Sequence, residues 1–93
     1  MSHTIDHQQD ALINRLNRIE GQIKGIKKMV LEEKETAAIM IQLNAARAAL
    51  QKISQILLEA QADHSLMHVN EGADLTAEME NLRRVITQYN KLN

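Results

Sequence analysis

Three runs of apolar residues, each stepping by three or four positions, leave this chain little to fold into except helices. Leu12, Leu16, Ile19, Ile23, Ile26 and Val30 form the first run. Ile39, Leu43, Ala46, Leu50, Ile53, Leu57 and Ala60 form the second, and Leu75, Met79, Leu82, Ile86 and Tyr89 the third. Such spacing puts each set on one helical stripe, as in bundles and coiled coils. Proline, which would break a helix, is absent. The stretch Leu31 to Glu35 carries no stripe residue, and Thr36 or a near neighbour is expected to cap the second helix. Asn70 to Asp74 reads as a turn around Gly72, with Asp74 as the N-cap of a third helix. The pattern predicts an all-α subunit with helices near 7–32, 36–68 and 74–91, in one domain spanning 1–93. No internal repeat or interdomain linker interrupts it.

A chain of 93 residues with one aromatic residue, Tyr89, and no cysteine has neither large rings nor disulfides to hold a small core. The second helix is also apolar around much of its circumference, through Met40, Ile41, Ala45, Ala48, Ala49, Ile56 and Leu58. A helix of that kind is covered on several sides. The expected solution pairs long helix 1–helix 2 hairpins from two subunits into a four-helix bundle, close-packed at Ala45, Ala46, Ala48 and Ala49. A monomeric bundle is the simpler alternative. The N-terminus Met-Ser-His-Thr-Ile-Asp-His lacks the apolar stretch of a signal peptide, and no run is long enough to span a membrane. A cytoplasmic protein is therefore expected.

The net charge is −1, so any nucleic-acid footprint must be gathered on one face. Between Ala11 and Lys28 the bases Arg15, Arg18, Lys24, Lys27 and Lys28 outnumber one acid, Glu20. Arg15, Arg18 and Gln22 share a helix face at i, i+3 and i+7, and guanidinium and amide groups suit phosphates and base edges. Taken alone, such a cluster reads equally as a solvated charged face. Gly21 and Gly25 each cost about 1 kcal/mol against alanine within a helix, which close approach to another helix or to DNA would offset. No nucleophile motif, phosphate-binding glycine loop or metalloprotease signature points to an enzyme. A helical scaffold that binds other helices without DNA is the rival reading.

The segment Arg15-Leu-Asn-Arg18-Ile-Glu-Gly21-Gln22-Ile-Lys24-Gly25-Ile, then Met29-Val30, then Gln42-Leu-Asn-Ala45-Ala-Arg47-Ala-Ala-Leu50, resembles the metal- and formaldehyde-responsive repressors of the CsoR/RcnR/FrmR type. The resemblance runs without gaps from about Ala11 to Ser65 and more weakly beyond. It implies an all-helical repressor that binds operator DNA as a dimer of dimers. It also assigns DNA contact to Arg15, Arg18, Gln22, Lys24, Arg47 and Lys52. Mixing with an intact paralogue in a hetero-oligomer stays open.

At the inducer site this chain departs from the resemblance. Such repressors carry a cysteine at the start of helix 2, facing a His and then a Cys, His or Glu one turn on from a neighbouring subunit. Those positions are Thr36, Gln61 and Ser65 here. Glu35 and Asn81 also replace a common Tyr and Glu. Without a thiol, Cu(I) capture and cysteine adducts with formaldehyde are not expected. Histidines offer a substitute: His64 and His68 at i, i+4, and His3, which matches an N-terminal ligand of the nickel/cobalt branch, with His7 one turn on. They would suit Ni(II), Co(II) or Zn(II).

Overall fold

The computed structural model describes the backbone of residues 3–92 and the side chains of residues 9–92. Three helices follow in order, α1 His3–Leu31, α2 Thr36–Asn70 and α3 Leu75–Leu92. α1 begins four residues before the expected residue 7, and α2 runs two past the expected 68.

Both turns stop a helix in the same way. After α1, Lys34 N–H donates to Met29 O at 3.0 Å and Glu33 N–H to Val30 O at 3.1 Å. After α2, Ala73 N–H donates to His68 O at 2.8 Å and Gly72 N–H to Val69 O at 3.0 Å. Each pair of bonds satisfies carbonyls that the helix end would leave unpaired, with one left-handed residue making the reversal. That residue is Gly72 at φ 98 in the second turn and Glu33 at φ 53 in the first. The helix starts differ. Asp74 caps α3 as expected, accepting from Thr76 N–H at 3.4 Å and Ala77 N–H at 3.3 Å. α2 has no side-chain cap: Glu35 holds the N-cap position and makes no capping bond, so Thr36 is the first helical residue rather than the cap.

α1 and α3 each pack on α2 and not on one another. The radius of gyration is 17.5 Å, where a compact chain of this length has about 12 Å. The exposed surface is 7054 Å², against about 5,400 Å² for a compact monomer of this mass. Only Ile19, Ile26, Ala46, Ile53 and Ala60 are buried among the apolar side chains described.

The expected single stripes therefore split. On α1 the seam toward α2 runs Leu12, Arg15, Ile19, Gln22, Ile26 and Met29, while Leu16, Ile23 and Val30 stay open at 39%, 49% and 56% exposure. On α2 the seam toward α1 holds Ala46, Ala49, Ile53, Ile56 and Ala60, and Leu43, Leu50 and Leu57 stay 41–50% exposed. On α3, Glu78, Leu82, Val85 and Tyr89 are half-buried, and the expected Leu75, Met79 and Ile86 are exposed. One subunit thus uses one half of each heptad stripe and leaves the other half bare.

Candidate functional site

Helical geometry sorts the basic residues. Arg15 stands sixteen residues before the end of α1 and Lys52 sixteen after the start of α2, so in the antiparallel hairpin they share one level. At about 100° per residue, Arg18 and Lys52 project from the same face of the hairpin, and the open leucine stripes occupy the opposite face. Arg18 and Lys52 are exposed, and Arg15 and Gln22 are half-buried at the seam beside them. Lys24 lies about 180° around α1 from Arg15, outside that face. Arg47 also stands apart, on the rim of an apolar groove of about 550 Å³ lined by Leu50, Leu57 and Leu92. Among the described residues the one Lys/Arg–carboxylate ion pair is Glu80–Arg83, so neither Arg18 nor Lys52 is neutralised by an acid.

Gly21 and Gly25 do not explain themselves within the chain. A Cβ at either position would meet nothing within 4 Å, so the close helix approach expected of them is not made by this subunit. Both lie toward the face that carries Arg18.

The thiol-type position does not assemble in one subunit and has no metal donor set. Thr36 and Gln61 are 25 residues apart on one continuous helix, about 37 Å by helical rise. Gln61 Nε2 donates to Ser65 Oγ at 3.0 Å, and Ser65 is buried. Two neutral side chains bonded to each other are no site for Cu(I), which binds thiolate, thioether and imidazole.

One turn away the chemistry changes. α2 and α3 enclose a polar pocket of about 420 Å³ lined by Gln61, His64, His68, Glu78, Asn81 and Arg84. The His64 and His68 rings lie 3.9 Å apart between centroids, tilted by 50°. His68 Nδ1 and Glu78 Oε2 are 3.3 Å apart. His64 Nδ1 and Glu78 Oε1 are buried and have no hydrogen-bond partner. Each such group costs about 1–3 kcal/mol of desolvation. Among the described residues, no three His, Asp or Glu side chains are already gathered as a metal cage. His3 and His7 have side chains outside those described. The sequence reading missed Glu78, although Leu75, Glu78, Leu82, Val85 and Tyr89 repeat at 3, 4, 3, 4 as regularly as the stripe it chose.

A thin all-α hairpin with basic residues on one face and a bare apolar stripe on the other fits a helical transcriptional regulator. The sequence profile described as "Metal-sensitive transcriptional repressor" matches residues 8–88, and the chain belongs to that family. The copper-sensing transcriptional repressor CsoR of Bacillus subtilis (strain 168) is 31% identical over 91 residues, covering 98% of this chain and 90% of that protein. The transcriptional repressor RcnR of Citrobacter koseri is 30% identical over 91 residues, 98% of this chain and all of that one. Among solved structures, the nickel-responsive transcriptional regulator InrS superposes with a TM-score of 0.81 at 29% identity, over 86% of this chain and 90% of that one. No described helix is long and apolar enough to cross a membrane.

Proposed function

We propose that the chain represses transcription by binding operator DNA as a homotetramer, in the cytoplasm, with the thiol-type sensing position lost. The observation that carries this reading is the unneutralised pair Arg18 and Lys52 on one hairpin face, opposite the leucine stripes. Arg15 and Gln22 flank that pair, and Gly21 and Gly25 leave open backbone close by. The bare stripes on the far side supply what a second copy would bury, so assembly and DNA binding use different faces. Pairing of subunits extends the basic face into a strip long enough to follow a duplex.

The test is binding of purified protein to genomic fragments, followed by sequencing of what is retained. On the operator so found, Arg15→Ala, Arg18→Ala and Lys52→Ala should each weaken binding and lower the salt slope by about 1 per lost phosphate contact. Lys24→Ala and Arg47→Ala, outside that face, should do less. Variants Arg15→Ala, Arg18→Ala and Lys52→Ala that all bind like the parent would refute the assignment.

A second reading adds an inducer: Ni(II), Co(II) or Zn(II), and not Cu(I). It is favoured by the two imidazoles beside Glu78, and by the nickel-responsive regulator that shares the fold.

A further inference from the structure

We propose that His64, His68 and Glu78 form a binding site for a divalent transition-metal ion of the Zn(II), Co(II) or Ni(II) type, with all donors from one chain. The site lies beside Gln61 and Ser65 at the far end of α2 from Thr36, and it uses none of the three. Its binding of metal stands independently of the repressor reading, and only an effect on operator affinity rests on that reading.

Three observations converge on the pocket. Two histidines at i, i+4 project from one helix face, a spacing that lets both imidazoles reach one ion. A carboxylate from a second element faces them, with His68 Nδ1 and Glu78 Oε2 3.3 Å apart. Ligand atoms about 2.05 Å from a tetrahedral centre stand about 3.3 Å apart, so this pair already spans one edge of such a site. Of the two unpartnered buried atoms, Glu78 Oε1 offers a lone pair, and His64 Nδ1 offers one when the ring proton sits on Nε2. A cation satisfies both at once, which a hydrogen-bond donor aimed at one of them would not.

Closure needs a modest movement. Two imidazoles on one tetrahedral ion hold their centroids about 5 Å apart, so the 3.9 Å His64–His68 separation must open by about an ångström. The 420 Å³ pocket leaves room for that rotation. Imidazole and carboxylate select borderline ions over Cu(I). Three protein donors leave the fourth position to water. Because Glu78 sits in the first turn of α3, the ion would fasten α3 to the end of α2.

Titration of the metal-free full-length protein with Co(II), read by visible absorption and calorimetry, tests the site without DNA. The expected result is one ion per chain, a tetrahedral Co(II) spectrum displaced by Zn(II), and a higher melting temperature. His64→Ala and His68→Ala should each weaken binding at least tenfold. Glu78→Gln, nearly isosteric, should do the same, with circular dichroism of the metal-free variants showing an intact fold. Binding that survives unchanged in the His64→Ala/His68→Ala double variant would overturn the proposal, as would a stoichiometry of one ion per two chains.

Discussion

The two ends of α2 solve the same problem in different ways. At its N-terminal end the turn is made by a glutamate in a left-handed conformation, the helix starts without a side-chain cap, and Leu43 and Leu50 face outward. At its C-terminal end the turn is made by Gly72, Asp74 caps the next helix with two bonds, and Ser65 is buried. The second end thus fixes its turn and the next helix start with local hydrogen bonds and a glycine, and the first has neither a glycine nor a side-chain cap. The difference teaches which helix junction is fixed by its own local chemistry and which is not. The chain's own α3 lines a polar pocket at one end, and Leu43 and Leu50 stand 41% and 49% exposed at the other.

The largest effect should come from charging the open stripe. Leu50→Glu would bury a carboxylate in an apolar interface, and the effective penalty for an unpaired buried charge is several kcal/mol. The expected outcome is loss of assembly, read by light scattering at micromolar concentration. Leu66→Glu, on a leucine 66% exposed against 49% for Leu50 and near the locally capped end, should leave assembly intact. If both variants dissociate, or neither does, the contrast between the two ends fails.

Next come the turns. Gly72→Ala places a side chain at φ 98 and should cost about 1–2 kcal/mol of stability, although nothing crowds the added Cβ. Asp74→Ala removes the cap of α3 and should cost about 1 kcal/mol. Glu33→Gly relieves the strain at φ 53, with a net gain below about 1 kcal/mol once the added freedom of the unfolded chain is counted. Denaturation at fixed protein concentration measures all three, since oligomer stability depends on concentration. A Glu33→Gly variant less stable than the parent would mean that the first turn is held by contacts absent from a single subunit.

Much of this was legible in the sequence, and the apolar residues that turned outward share one cause. Helix type, order and turns follow from the 3–4 spacing, the absence of proline, and the Gly72–Asp74 pair. A stripe spaced 4, 3, 4, however, is compatible with two neighbouring seams, and only packing chooses between them. Ile19 and Ile26 went inward while Leu16 and Ile23 stayed outside, because the subunit has one hairpin partner for a stripe wide enough for two. The same ambiguity hid Glu78 behind Met79 on α3. Thr36 or a near neighbour is expected to cap α2 from residue type, and the neighbour Glu35 holds the N-cap position without a side-chain capping bond. Lys24 and Arg47 joined the basic set through their motifs, but the helical turn takes them off the face that Arg18 and Lys52 share. The absence of any thiol is read directly from the sequence, since it depends on residue type alone.

The smallest effect concerns an exposed ion pair on α3, where the locally capped end meets solvent. A side-chain hydrogen bond from Arg83 holds the Glu80 carboxyl below its ordinary value, aided by the charges of Arg83 and Arg84 and opposed by slight desolvation. Arg83 Nε donates to Glu80 Oε2 at 3.1 Å, and Arg83 is correspondingly pushed up by the same bond. A carboxyl depressed in the folded state stabilises the fold above its unfolded value, and that contribution is lost as pH falls through the folded value. Both side chains are exposed, so water and salt screen the pair and its share of stability is small. Carboxyl-resolved NMR titration should show Glu80 protonating at higher pH in Arg83→Ala, and also in the parent at high salt. The melting temperature at neutral pH should barely change. A loss in Arg83→Ala as large as that from Asp74→Ala would show that this surface is covered in the assembly, and that the C-terminal end of α2 and its α3 also depend on a partner.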